Sequence, residues 1–403
     1  MKLEERRKDV FYCANCKWCY YRFPEDSVKH WDLMKVSCPS GKYYGWETHY
    51  APGRLTVAKG VLKKFIKPDK KVVDIIFQCP VCANCRVICG NEYGWGKEVV
   101  FNDILEDFRA DLVDLGIGPA PEQKKFGESV RKSYNPYWEP HEDRMKWMPS
   151  SVKPSKKAKI AYFVGCTSSY RMKETAQATV KVLDAAGVDF MMLDPEEWCC
   201  GSPLFRTGQR ELAKEMMKHN VDAVKASGAK SVIFSCAGCY RTFKVDYQDY
   251  LGPLPFKLMH TTDLVAQLLK KKKLKLKKFP GTVTYHDPCH MGRHLYIGNP
   301  PDPSVFEPPR QVLKAIPGLK FREMERTKEM AWCCGAGGGT KSAYNDFAIS
   351  TAIERIKEAE ETGAKALISS CPFCRRNLIE AIEKSGSKIK MYDIMELLAN
   401  VIA

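Results

Sequence analysis

Ser231-Val232-Ile233-Phe234-Ser235-Cys236-Ala237-Gly238-Cys239 and Ala366-Leu367-Ile368-Ser369-Ser370-Cys371-Pro372-Phe373-Cys374 carry one pattern twice. In each, a short apolar run of strand length stops at a Cys-x2-Cys element. Upstream of the first, Lys159–Val164 reads as a strand ending at Gly165-Cys166, and Glu174–Ala186 as a helix closed by Gly187. Val188–Leu193 is a second strand leading to Cys199-Cys200-Gly201, followed by an amphipathic helix over Gln209–Ser227 that stops at Gly228. A strand over Phe256–Met259 and a helix over Thr262–Leu269 complete the unit. The order then recurs: Thr282–Tyr285 before Cys289, Cys333-Cys334-Gly335 before a helix over Tyr344–Glu361, Ala366–Ser369, then Lys388–Tyr392 and a terminal helix. From Lys159 onward the chain is an internal duplication. Alternating strands and helices predict parallel βαβ units with right-handed crossovers, and sites in such sheets lie beyond the carboxyl ends of the strands.

At 403 residues, 44% hydrophobic and 28% charged, the chain is an ordinary soluble composition with room for two or three domains. Its eighteen cysteines are not ordinary. The charged start Met1-Lys2-Leu3-Glu4-Glu5-Arg6-Arg7-Lys8 is no secretory leader. No apolar run of about 18 residues occurs to span a membrane. A cytoplasmic protein is expected, and there clustered cysteines serve as metal ligands rather than disulfides. The formal charge of +16 counts every thiol as neutral, so part of the basic excess balances thiolates, and nucleic-acid binding is not expected. The block Lys270-Lys271-Lys272-Lys273-Leu274-Lys275-Leu276-Lys277-Lys278 reads as a solvated linker, or as a patch for an acidic partner or anionic lipid.

Eight cysteines fall before residue 95. They read Cys13-x2-Cys16-x2-Cys19 with Cys38-Pro39 after eighteen intervening residues, and Cys79-x2-Cys82-x2-Cys85-x3-Cys89. Three cysteines at two-residue gaps wrap one face of an iron–sulfur cube, and the fourth ligand comes from elsewhere. A four-cysteine zinc site would use separated pairs and leave the central cysteine of each triad over. These runs resemble two-cluster ferredoxins, where the last cysteine of one run serves the other cluster. The resemblance implies Cys13, Cys16, Cys19 and Cys89 on one cubane [4Fe–4S] cluster, and Cys79, Cys82, Cys85 and Cys38 on a second. Tyr43, Tyr44, Trp46 and Tyr50 are expected to shield these clusters from solvent. Lys97–Leu115 follows as a helix, stopping at Gly116-Ile117-Gly118-Pro119, and residues 133–155 show no period.

Each repeat holds five thiols: Cys166, Cys199, Cys200, Cys236 and Cys239 in the first, Cys289, Cys333, Cys334, Cys371 and Cys374 in the second. Adjacent cysteines cannot share one face of a regular strand, so each pair sits on a turn. Gly201 and Gly335 are expected to let the backbone approach a bulky inorganic ligand. With His286-Asp287-Pro288-Cys289-His290, Leu313–Leu319 and Trp332–Gly339, this arrangement resembles the Cys-Cys-Gly domains of heterodisulfide reductases and related iron–sulfur oxidoreductases. A two-cluster module fused ahead of both repeats resembles the D-type chain of those reductases. The resemblance implies a non-cubane [4Fe–4S] cluster held by all five cysteines of each repeat, with a disulfide bound between the two. His286 and His290 would tune the cluster or donate a proton. Gly335-Ala336-Gly337-Gly338-Gly339 lacks the ending of a P-loop, so close approach to cluster and substrate is expected instead. A proline-rich insertion, Ile297–Pro309, could reshape the cleft or a partner surface.

The expected architecture is an α+β ferredoxin-like two-cluster module over residues 1–130, a linker over 131–156, an α/β Rossmann-like Cys-Cys-Gly domain over 157–270, a basic linker over 271–280, and a second such domain over 281–403. The expected function is an oxidoreductase subunit of anaerobic metabolism, moving electrons through the cubane clusters to reduce a disulfide of the CoM-S-S-CoB type. The alternative is an electron-transfer subunit of a larger complex, of the glycolate or lactate oxidase or benzoyl-CoA reductase kind, with no substrate chemistry of its own. Either requires redox partners: a flavoprotein, hydrogenase, dehydrogenase or cytochrome b-type membrane subunit that could hold the chain at the inner face of the membrane.

Overall fold

The computed structural model describes residues 1–22, 35–90, 99–297 and 301–402. The strands are β1 (Tyr21–Arg22), β2 (Lys35–Val36), β3 (Ile160–Phe163), β4 (Met191–Met192), β5 (Ser231–Phe234), β6 (Lys257–His260), β7 (Thr282–His286), β8 (Lys320–Phe321), β9 (Ala366–Ser369) and β10 (Lys390–Asp393). Eight of them form two four-stranded parallel sheets with one topology: β4-β3-β5-β6 and β8-β7-β9-β10. The duplication is therefore structural. Strands expected over Ser231–Phe234 and Ala366–Ser369 form over those residues. β8 is too short, at two residues, to leave a periodic signal.

In-register pairing of Phe163 with Phe234, and of His286 with Ser369, brings the carboxyl ends of neighbouring strands level. The chain leaves each end straight into a cysteine element, as Gly165-Cys166, Cys236, Cys289 and Cys371. Both last strands finish in a capping box, with His260 and Asp393 as N-caps and Asp263 and Glu396 three residues on.

The repeats pack reciprocally. The first long helix of repeat one (Lys173–Ala185) lies on the last helix of repeat two (Ile394–Ala399). The last helix of repeat one (Thr261–Lys270) lies on Glu307–Ala315, the first long helix after β7. Such a crossed exchange is a pseudo-two-fold arrangement, and its apolar seam runs through Val182, Val265, Val312 and Leu398.

The N-terminal part is mainly helical among the described residues, with the antiparallel β1–β2 pair as its one ribbon. The helix expected over Lys97–Leu115 spans Phe101–Asp114; residues 97 and 98 lie outside the described residues. Its Ile104, Leu105, Phe108 and Leu112 pack against Leu55, Ile76 and Phe77. Burial of side chains of this size stabilises by roughly 1.5–3 kcal/mol each.

Two segments expected as linkers are fastened down. Within 131–156, Arg144 and Trp147 are buried, and Tyr134 stacks on Trp198 at 3.9 Å. Within the lysine block, Leu274 is buried, Leu276 bridges to Ile402, and the Lys277 amide donates to the Val401 carbonyl at 2.6 Å. Charge keeps the block's lysines outside while its leucines reach the core.

Arg109 joins the three parts. Fully buried, its guanidinium donates to the carbonyls of Ile76, Phe77 and Cys79 at 2.9, 3.3 and 2.8 Å, of Arg206 at 2.7 Å and of Gly338 at 3.0 Å. Arg109→Met strands these carbonyls at about 1–3 kcal/mol each, so a loss of about 3 kcal/mol or more is expected. Urea unfolding should show it, with Arg109→Lys recovering only part.

Candidate metal centres

The eighteen cysteines are all free, and they gather as the sequence spacing requires. Cys19 is surrounded by Cys13, Cys16, Cys89 and Cys38. Cys13, Cys16, Cys19, Cys85 and Cys89 line a hollow of about 250 Å³ under Tyr12 and Trp18. Cys38, Cys79, Cys82 and Cys85 line a second, tighter hollow. Cys38 lines the hollow of the second run and Cys89 that of the first, with Cys85 at both.

The aromatics expected to shield these hollows divide their work. Tyr50 stacks on Tyr20 at 3.8 Å beside Gly41, on the Cys38 turn. Tyr43 and Tyr44 instead pack on Phe347 of repeat two, and Trp46 is 71% exposed.

In repeat one, Cys166 touches Cys199, Cys199 touches Cys200, and Cys200 and Cys236 both reach Cys239. In repeat two, Cys333 reaches Cys289 and Cys334, and Cys374 reaches Cys334 and Cys371. Two contacts leave the sets: Cys236 meets Cys371, and Cys82 meets Cys333. Cys236 and Cys371 are equivalent residues, and equivalents touch only where a two-fold axis passes. Cys82 has no such counterpart against repeat one.

A cavity of about 580 Å³ opens between the repeats. Nine of the ten repeat thiols line it, Cys333 being the exception. His290 lines it too, lying by Gly238 of repeat one. Burial, with Arg241 nearby, pushes the His290 imidazole down to about 4. His286 lies within 4.8 Å of Cys334 and Cys374, its Nδ1 accepting from Arg355 at 3.1 Å. The described part of Ile297–Pro309 does not reach the cavity.

Buried arginines and carboxylates that the cysteine pattern does not reveal hold the loops. Glu197 accepts from the Val164 and Gly165 amides, both at 2.8 Å, and pairs with Arg144, whose Nη atoms stand 3.7 and 3.6 Å from Cys166 Sγ. Asp287 does the same work beside Cys289, taking Arg310 at 2.8 Å and the Lys328 amide at 2.9 Å.

Two glycines have a backbone reason to be glycine besides the expected approach to a ligand. Neither Gly201 nor Gly335 lines the cavity. Both sit in the left-handed region, at φ +77° and +83°, with a following helix close behind. Their amides donate to Cys199 Sγ at 3.5 Å and Cys333 Sγ at 3.3 Å. Close approach to sulfur belongs to Gly165, where a Cβ would lie 2.9 Å from Cys239 Sγ. Gly337 and Gly338 press on the carbonyls of Pro80 and Cys79, seating the glycine loop on the N-terminal part.

The donor sets fit iron–sulfur clusters. Burial pushes the Cys19 and Cys85 thiols well up, a cost that metal coordination removes by taking the thiolate. Among the described residues, His286 Nε2, His290 Nε2 and Arg293 Nη2 are buried with no hydrogen-bond partner, and all three stand among the thiols. Cluster sulfur supplies the acceptors that such donors lack.

The cysteine-rich CCG domain model matches residues 160–244 and 283–379. The chain is 45% identical to the D-type subunit of the "Dihydromethanophenazine:CoB--CoM heterodisulfide reductase" of Methanosarcina acetivorans, over 97% of this chain and 92% of that one. The chain belongs to the D-type heterodisulfide reductase family. It is part of an iron–sulfur oxidoreductase. A more distant relative, "EtfAB:quinone oxidoreductase" of Syntrophomonas wolfei, is 29% identical over 79% of this chain and 45% of its own length. A solved structure of a hypothetical protein from Helicobacter pylori shares the fold alone, with a TM-score of 0.54 at 12% identity over 87% of this chain and 68% of that one. No helix among the described residues is long and apolar enough to cross a membrane.

In this heterodisulfide reductase D-type chain, the two Cys-Cys-Gly turns differ in tolerance. A Cβ at Gly335 would meet the Ala348 carbonyl at 2.5 Å, whereas one at Gly201 would lie 3.3 Å from the Ala213 carbonyl. Both alanines meet the left-handed penalty of about 1–2 kcal/mol. Gly335→Ala should therefore lose more thermal stability and more iron than Gly201→Ala, as melting and metal analysis will read.

Proposed function

We propose that this chain is the substrate-reducing component of a disulfide reductase, with two cubane [4Fe–4S] clusters feeding two non-cubane [4Fe–4S] clusters. The observation that carries the reading is the shared cavity: thiols of both repeats line one space, and their sets meet at Cys236 and Cys371. In this reading Cys13, Cys16, Cys19 and Cys89 hold the first cluster, and Cys38, Cys79, Cys82 and Cys85 the second. The five cysteines of each repeat hold the third and fourth. The domains follow the same divisions, with a ferredoxin-like module over residues 1–130 and Cys-Cys-Gly domains over 157–270 and 281–403.

Once bound, the clusters supply single electrons. The overall step is R–S–S–R′ + 2e⁻ + 2H⁺ → RSH + R′SH, with the electrons drawn from a redox partner protein. Two one-electron centres across one cavity suit cleavage of a two-electron bond. The chain's own residues hold the substrate. Phe126, Tyr137, Trp138 and Phe373 give the cavity apolar walls that exclude water. At its rim, the Arg171 and Arg376 guanidinium carbons lie 4.7 and 5.6 Å from the Tyr137 ring centre. Arg171 pairs with Glu139 at 2.5 Å, and Arg376 lines the cavity with no ion pair among the described residues. A disulfide with acidic ends, of the CoM-S-S-CoB type, fits such a rim. His290 offers its ring beside the bond to be cleaved.

In this reading the chain works in the cytoplasm, where a membrane-bound partner subunit can hold it at the inner face of the membrane. A pure relay, of the kind the quinone oxidoreductase relative suggests, makes the opposite prediction for substrate.

Anaerobic analysis should find about sixteen irons and as many sulfides per chain, from four [4Fe–4S] centres. Half that, or stoichiometric zinc, excludes the assignment. With a heterodisulfide and a low-potential donor, the isolated protein should turn over and give a substrate-dependent paramagnetic signal; absence of both indicates the relay. Cys200→Ser and Cys334→Ser should each remove one repeat's signal and spare the cubane signals.

A further inference from the structure

Arg293 is buried, with 1% of its surface exposed, in the wall where the N-terminal part meets repeat two. Its Nε donates to the Cys82 carbonyl at 2.7 Å. Its Nη1 donates to the Ala331 carbonyl, and to the Glu329 carbonyl at 3.3 Å. One guanidinium therefore grips both the Cys79–Cys85 run and the approach to Cys333-Cys334-Gly335. Nη2 is buried and has no partner among the described residues. The thiols around the group are Cys82, Cys289 and Cys333. No carboxylate pairs with Arg293 among the described residues, in contrast to Arg144, which has Glu197 3.1 Å away. A buried cation is costly unless negative charge stands near it, and Cys82, Cys289 and Cys333 surround this one, with Asp287, itself paired to Arg310, further contributing.

The neighbouring residue makes a second, uncharged link. His294 Nε2 meets the Val81 carbonyl at 2.9 Å, and burial holds its imidazole well below its ordinary range. The contact can thus be separated into a charge, at Arg293, and a neutral fastening, at His294.

We propose that Arg293 is a positioning residue that sets the reduction potentials of two centres together: the one held by Cys38, Cys79, Cys82 and Cys85 and the one held by repeat two. This rests on the cluster assignment above. A cluster gains negative charge when reduced, and a desolvated cation beside it stabilises the reduced form. Standing between two centres, Arg293 raises both potentials together and leaves the step between them unchanged. The first cubane centre and the repeat-one centre lie outside its contacts.

The test is an anaerobic redox titration followed by paramagnetic resonance, on the iron-loaded full chain and on Arg293→Gln, Arg293→Lys and His294→Gln. In Arg293→Gln, both flanking centres should shift to more negative potential by about tenfold in the one-electron equilibrium constant, ~59 mV each, with the other two unmoved. Arg293→Lys, which keeps the charge, should remain near the parent protein. His294→Gln, which loosens the contact without changing charge, should also leave the potentials in place. Unchanged potentials in iron-replete Arg293→Gln, or a shift of all four centres alike, overturn the proposal. So does an equal shift in His294→Gln, which would assign the effect to docking geometry. If Arg293→Gln does not retain iron, Arg293→Lys decides: parent-like potentials support the proposal and lowered ones overturn it. If the parent chain shows no centre at either flanking set, the cluster assignment fails and the inference goes with it.

Discussion

Everything in this molecule depends on satisfying backbone carbonyls where three separately folded parts converge. Arg109 does most of that, as one guanidinium bonded to the Ile76–Cys79 turn, to Arg206 of repeat one and to Gly338 of repeat two. The loops that carry cysteines cannot use sheet or helix partners for their carbonyls, because their geometry is dictated by sulfur. A buried arginine supplies five donors in a rigid fork without demanding a regular backbone. The same solution recurs at Arg54, which serves the Ile75, Gln78 and His49 carbonyls near Cys38 and Cys79. It recurs again at Arg293. Charge at these places is structural first, and burial near thiolates then gives it an electrostatic role.

The cysteine spacing made it legible before any coordinates which thiols would gather, though not which hollow the distant Cys38 would line. Ligand spacing is a local constraint, and a loop around a compact cluster leaves few alternatives. The duplication was legible for a related reason: short, mainly apolar strands that run into a Cys-x2-Cys element keep their signal in both copies. The hidden features were those made by long-range partners. Nothing around Arg144 predicts that it faces Cys166, because that contact depends on how 131–156 folds back over β3. The glycines at 201 and 335 carry a reason that the spacing did not show. A left-handed backbone and a helix at close quarters demand glycine at 201 and 335 just as a bulky ligand would, and sequence does not separate the two reasons.

The lysine block and the segment over 131–156 show a further limit. Composition marked both as linkers, yet two leucines in the first and Trp147 in the second are tied to the core. Segments of low periodicity can still be ordered when a few apolar residues find neighbours, and their exposed lysines hide this in any average.

The pseudo-two-fold is broken at one place. Geometrically the two halves are twins, meeting at Cys236 and Cys371. Their surroundings differ, since Cys82 of the N-terminal part meets Cys333 of repeat two. A change at Cys333 must therefore suit a neighbour outside its own repeat as well as those within it.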